Sequence, residues 1–161
     1  MKVVHLLILF FLTSFHLQAE ERFLSHEKVP QNILSKIKEG SEHTVSQMRD
    51  QGVSNFDYNE VSVKFLSEVI TDERLRLSEN AKRILPELWG AFLGEVIIKE
   101  LGGKWVKLGD QYAVLVSDSH ICFPLNKVHE QIVNGEIDSI YGFYLSTVKI
   151  ANEIKVAKDG G

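Results

Sequence analysis

The stretch LWGAFLGEVIIKELGGKW, residues 88–105, decides how the rest of the chain can fold. Its apolar residues fall on nearly every side of a helical wheel, so a helix here must be wrapped by other elements. Gly102 and Gly103 stop it, because a left-handed helix end asks for a residue with no Cβ. Upstream, the residue before a proline is pushed out of the helical region, while proline itself fits a first helical turn. That predicts a kink or a fresh start at Leu85 and Pro86 and a central helix from there to Leu101. Gly90 and Gly94 lie four residues apart on it and leave a groove free of side chains, along which a strand or helix can approach closely. The same spacing pairs helices inside membranes, but Glu87, Glu95 and Lys99 make this segment a poor span.

One carboxylate is out of place. At about 100 degrees per residue, Glu95 falls between Ile84, Leu88 and Ala91, in an apolar sector. An ionised acid there must be paired, hydrogen-bonded or kept neutral. Three readings are open. Glu95 pairs with Lys99 one turn on, at the rim of the core, for about 0.3–0.5 kcal/mol; it lines a closed pocket and faces a ligand or a partner's cation; or it caps backbone amides of a neighbouring loop. The Lys99 pair is the default. Trp89 and Trp105 read as core or groove-lining aromatics.

After the glycines the pattern alternates. Residues 104–108, 111–117 and 120–123 read as three antiparallel strands, with turns at Gly109–Asp110 and Asp118–Ser119. A two-residue second turn sets Val116 opposite Ile121, Leu115 opposite Cys122 and Val114 opposite Phe123, with apolar groups on both faces. Pro124 ends the third strand. A helix follows from Asn126 to Asn134 with Val128, Ile132 and Val133 inward, and Asp138 caps a last helix that buries Ile140, Phe143, Tyr144, Val148, Ile150 and Ile154. Towards the N-terminus, residues 58–72 form a helix with Val61, Phe65, Leu66, Val69 and Ile70 inward, and Ser78 caps the segment holding Ala81 and Ile84. Residues 20–57 carry few large apolar groups and read as a helical arm, mobile or peripheral, interrupted at Gly40 and ended by Gly52.

The chain opens MKVVHLLILFFLTSFHLQA, with Lys2, an apolar run and Ala19 before two glutamates, the layout of a secretory signal peptide. The run is too short for the roughly 20 apolar residues of a span. Cutting after Ala19 removes one lysine and no acid, so 17 Lys and Arg face 22 Asp and Glu, a net charge of −5. The remaining 142 residues suffice for one domain: an arm over 20–57, an α+β body over 58–156 and a frayed tail over 157–161. Its cations are scattered among acids, which argues against nucleic acid as a partner. Cys122 is the one cysteine, and its neighbours Ile121 and Phe123 predict a buried, inert thiol.

Asp118, His120, Cys122 and His129 resemble a nucleophile or zinc cluster only superficially, since the hairpin puts Asp118 in a turn and Cys122 in a paired strand. No glycine-rich phosphate loop, GxSxG elbow or HExxH helix is present. No cofactor, metal or catalytic residue is expected.

Residues 88–105 and 123–144 carry Gly90, Gly94 and Glu95, then Gly102, Gly103 and Trp105, then Pro124, Lys127 and Val128, then Asn134, Gly135, Asp138 and Ser139 before Phe143 and Tyr144. On these positions the C-terminal half resembles a family of small bacterial domains of unknown function, with a GxxLGEVI, LGGxW, KV and NGxxDS pattern. Phe92 and Leu125 depart from its tyrosine and phenylalanine. Some members look like immunity or accessory proteins of bacterial toxins, so the resemblance implies binding to another protein. The expectation is an α+β fold, a small three-stranded antiparallel sheet against a central helix with flanking helices. It is exported to the periplasm or beyond, binds a protein and is not an enzyme. Candidate binding residues are Glu95, Trp105, Lys127, Asn134, Asp138 and Ser139. The alternative is a small-ligand protein or enzyme with Glu95 in a closed pocket.

Overall fold

The computed structural model describes residues 26–160. The leader and its cleavage site lie outside them. The fold is α+β, with one antiparallel sheet set among helices. A two-residue strand, β1 (Glu27–Lys28), precedes helices α1 (Gln31–Asp50), α2 (Glu60–Glu73) and α3 (Glu79–Leu101). Strands β2 (Lys104–Leu108), β3 (Gln111–Ser117) and β4 (His120–Cys122) follow, then α4 (Pro124–Asn134), a 3-10 turn (Gly135–Asp138) and α5 (Ile140–Asp159). The order in the sheet is β1-β2-β3-β4, so the sheet has four strands where the sequence shows three. Glu27 and Lys28 pair with Lys107 and Val106. Two exposed charged residues carry no alternating pattern, and pairing alone makes them a strand.

Helix α3 is the hub. Trp89, Ala91, Phe92, Leu93, Val96 and Ile97 are all buried along it, as a helix that is apolar all round requires. Ser78 caps it by accepting from the Ala81 amide, and Gly102 ends it at φ 79°. The break expected at Pro86 is absent: α3 runs unbroken through the proline, which is itself buried. Proline inside a helix costs about 3 kcal/mol, and the packing of α3 on both sides of it outweighs that cost. Phe92 meets Phe56 at 4.8 Å and Tyr58 at 5.7 Å between ring centroids, which ties the loop before α2 to the hub.

Helix α1 corrects the reading of an interrupted peripheral arm. It is continuous through Gly40 and buries Ile37, Val45 and Met48 in the same core as α3. Gly40 is a contact point, with Leu88 Cδ2 only 3.3 Å from where a Cβ would stand. Beside it the Thr44 hydroxyl lies 3.0 Å from the Gly40 carbonyl and 3.1 Å from that of Leu88. Small residues let the backbones approach, so α1 needs few large apolar groups to belong to the core.

Other inward faces turn by about one position. In α2 the buried residues are Val63, Leu66 and Ile70 with Ser62 and Ser67, whereas Val61 is exposed. Val133 and Ile150, expected inside, face water. Helix α4 starts at Pro124, two residues before the expected Asn126, with the proline in its first turn. The β3–β4 register also differs: Ser117 pairs with His120, but Leu115 pairs with Ile121 and Val114 with Cys122. A bulge at Val116 absorbs the extra residue. It puts Trp105, Val114 and Cys122 in one cross-strand row, all buried in the core. Val106 and Ala113, on the opposite face, are buried as well.

Candidate functional site

Glu95 has a partner, and it is not Lys99. Its Oε1 accepts a 2.8 Å hydrogen bond from the Trp105 indole N–H. The Lys99 ammonium lies over the Tyr58 ring instead, 5.9 Å from its centroid. The arrangement rests on Gly94: a Cβ there would land on Cζ2 and Cη2 of Trp105. A turn earlier, a Cβ at Gly90 would come within 2.5 Å of the Leu125 Cα. The two glycines thus seat the indole and the start of α4, the close approach their spacing predicts. Glu95 receives the one polar atom of a ring that is otherwise buried in the core. Trp105 is therefore not on an open surface.

The other four candidates meet at the corner between α4 and α5. The Lys127 ammonium contacts the Asp138 carboxylate at 2.7 Å and that of Glu130 at 3.0 Å, and Asn134 Nδ2 donates to the second Asp138 oxygen at 2.7 Å. Hydrogen bonds from Lys127 and then Asn134 hold the Asp138 carboxyl below the usual aspartate range. Burial weakens the Lys127 ammonium, but the bonds it donates to Asp138 and Glu130 outweigh that and leave its pKa raised. Contrary to the expectation from sequence, Asp138 does not cap α5. Ser139 does, accepting from the Gly142 amide, while Asp138 closes the 3-10 turn back onto α4. A four-residue turn between the helices leaves the aspartate one position too early to reach the α5 amides and in reach of Lys127.

Beneath this corner lies a polar network that no pattern in the sequence announces. Gln131 is fully buried. Its Nε2 donates to the Ser67 carbonyl at 2.8 Å and reaches the hydroxyls of Ser67 and Thr71 at 3.0 Å each, and its Oε1 accepts from the Ile140 amide at 2.8 Å. The hydroxyls of Ser67 and Ser139 share a hydrogen bond of 2.9 Å. One amide side chain thereby ties α2, α4 and the start of α5 together. A glutamine between polar neighbours on a short helix reads as surface, and only its facing makes it structural.

Above the network the corner exposes large apolar groups. Ile137, in the 3-10 turn, is 87 % exposed, and Leu75, just after α2, is 83 % exposed. A Cβ at Gly135 would stand 2.8 Å from the Arg74 Nε, so the guanidinium lies on this turn, and Leu75 is the next residue along the chain. An open concavity of about 430 Å³ adjoins it between α2 and the turn, bordered by Lys64, Glu68, Asp72, Glu136 and Tyr141 over the Ser67, Thr71 and Ser139 hydroxyls. No hydrogen bond or ion pair joins the Glu95–Trp105 pair to the corner among the described residues.

The sulfur and imidazole candidates stay apart. The Cys122 thiol is buried, donates to the Val114 carbonyl at 3.6 Å, and is pushed by burial up to about 12. A thiol so reluctant to ionise is a poor nucleophile and ligand. Asp118 is turned to water towards Lys158. Among the described residues no three His, Cys, Asp or Glu side chains are grouped to hold a metal ion, and no helix is long and apolar enough to cross a membrane. No protein-family model, curated protein or solved structure matches the chain. The functional reading accordingly rests on geometry.

Proposed function

We propose that this chain is a non-enzymatic protein-binding module of the periplasm or cell exterior, with the Asn134–Ser139 corner as its docking surface. One observation carries the proposal: Ile137, in the 3-10 turn, and Leu75, next to the Arg74 that lies on that turn, stand almost wholly in water, beside the buried hydrogen bonds of Gln131 and Ser139. Apolar groups presented together mark sites of association, and a corner already ordered loses little freedom when a partner covers it. Lys127, Asn134, Asp138 and Ser139 serve there as the scaffold that sets the angle of the 3-10 turn. Glu68, Asp72 and Glu136 border the adjoining concavity with Lys64, which pairs with Glu68, so the acids are in excess on its rim and a partner with an apolar contact flanked by basic side chains complements it. A toxin-immunity or accessory role is the form of this reading that the sequence resemblance favours.

The alternative, a small-ligand protein or enzyme acting through Glu95, has less support. One oxygen of that carboxylate is already taken by the indole, whose ring lies on the adjacent glycine. The test is capture of partners from periplasmic extract by the tagged chain, compared with a Leu75→Asp, Ile137→Asp double variant whose circular dichroism matches the wild type. Partners recovered by the wild type and lost from the double variant support the corner. Equal recovery by both, or a turnover that Glu95→Gln abolishes, overturns the proposal.

A further inference from the structure

We propose that the β3–β4 hairpin is an acid-sensitive latch, closed while His120 is neutral and released when its imidazole takes up a proton. His120 opens β4, an edge strand, yet it is only 8 % exposed, and its Nδ1 is buried with no hydrogen-bond partner. Across the ladder the Ser117 hydroxyl is buried and equally unpartnered. A neutral ring in that setting has given up a hydrogen bond to water, and a charged ring gives up far more.

Nothing at this end compensates a positive charge. The remainder of β3 carries no charged side chain, and the thiol of Cys122 on β4 is protonated at all working pH values. The turn contributes Asp118 and α5 contributes Lys158, and those two pair with each other at 3.9 Å. No ion pair or hydrogen bond reaches the His120 ring among the described residues. Desolvation holds its pKa below the usual histidine value. The hairpin end is held lightly, since only three ladder pairs hold β4 and the bulge removes Val116 from pairing.

The sign follows from linkage. With the closed-state pKa depressed, the open hairpin binds more protons than the closed one between that value and about 6.5. The contribution of neutral His120 to closure is therefore full above about pH 6.5 and is lost as the pH falls through the closed-state value. Opening would bare the edge of β3 and the Cys122 thiol while α3 and its packing stay intact.

The test is amide hydrogen exchange of the full chain at pH 7 and pH 5, corrected for intrinsic rates, beside a His120→Phe variant. Each unit between the open and closed pKa values changes protection by about tenfold. The expected result is a loss of that order across residues 115–122 at pH 5, no change in residues 89–97, and no pH effect in the variant. Protection of 115–122 that ignores pH in the wild type, or falls equally in both proteins, overturns the latch. If the variant fails to fold, the His120 ring titration in the wild type decides: a midpoint below about 6.5 supports the latch and one at or above it refutes it.

Discussion

Alanine replacing glycine, one position at a time, reads the packing of the hub helix directly. Inside a helix the change gains about 1 kcal/mol from propensity and a stiffer unfolded chain, so any loss measures what the new methyl meets. At Gly94 it would sit on the six-membered edge of the Trp105 indole and 3.2 Å from Pro124 Cγ. The indole cannot rotate away without breaking its bond to Glu95 and leaving the β2 row. Overpacking costs about 1–3 kcal/mol, and a lost buried hydrogen bond adds about 1 kcal/mol. After the propensity gain, Gly94→Ala should destabilise by about 1–3 kcal/mol. Gly90→Ala meets the backbone of Leu125 and should lose about 2 kcal/mol by displacing the start of α4. Gly40→Ala presses only on the mobile end of Leu88, 3.3 Å away, and should come out near zero. Gly142→Ala finds nothing closer than Ser139 Cβ at 3.8 Å and should gain about 0.5 kcal/mol. Urea unfolding with a common slope gives all four values. Gly94→Ala as stable as the wild type, or Gly142→Ala losing more than Gly90→Ala, would refute the packing described here.

Three further outcomes follow from the polar groups. Glu95→Gln keeps an acceptor for the indole and should change stability by less than about 1 kcal/mol, while Glu95→Ala strands a buried N–H and should cost about 1–3 kcal/mol in the same urea assay. Gln131→Leu leaves the Ile140 amide unpaired, while the Ser67 carbonyl keeps the Thr71 hydroxyl, and should cost about 1–3 kcal/mol, with the loss of exchange protection centred on the start of α5; a neutral result would mean the network contributes nothing. Asp138 should titrate below the usual aspartate range by NMR and return towards it in Lys127→Met. Its ion pair with Lys127 stabilises the fold above the unfolded aspartate pKa of about 3.9 and is lost as pH falls through the lower folded value.

The hub helix from Pro86 on, its glycine stop, the three strands after it and the burial of Cys122 were legible in the chain, because each depends on near neighbours, and Ser78 was legible as a cap, though of a short helix separate from the hub. The all-round apolar pattern of residues 88–101 and the alternation after Gly103 are local codes with distinct periods. The spacing of Gly90 and Gly94 announced a close approach, though not by what. The sequence could also show that Glu95 needs a partner, since charge in an apolar sector is costly wherever the helix goes.

Tertiary structure alone decided who that partner is. Lys99 and Trp105 are both within reach along the chain, and the choice fell to the turn at Gly102–Gly103, which folds β2 back so that the indole lies on Gly94. Pro86 was absorbed into α3 and Gly40 into α1 because packing on both sides outweighed local preference. The β1 pairing, the bulge at Val116, the facing of Gln131 and the exposure of Ile137 and Leu75 likewise depend on elements distant in sequence. Local order is written in periods of two and 3.6 residues, but the identity of a contact across the core is a property of the assembled whole, where shape and desolvation are settled together.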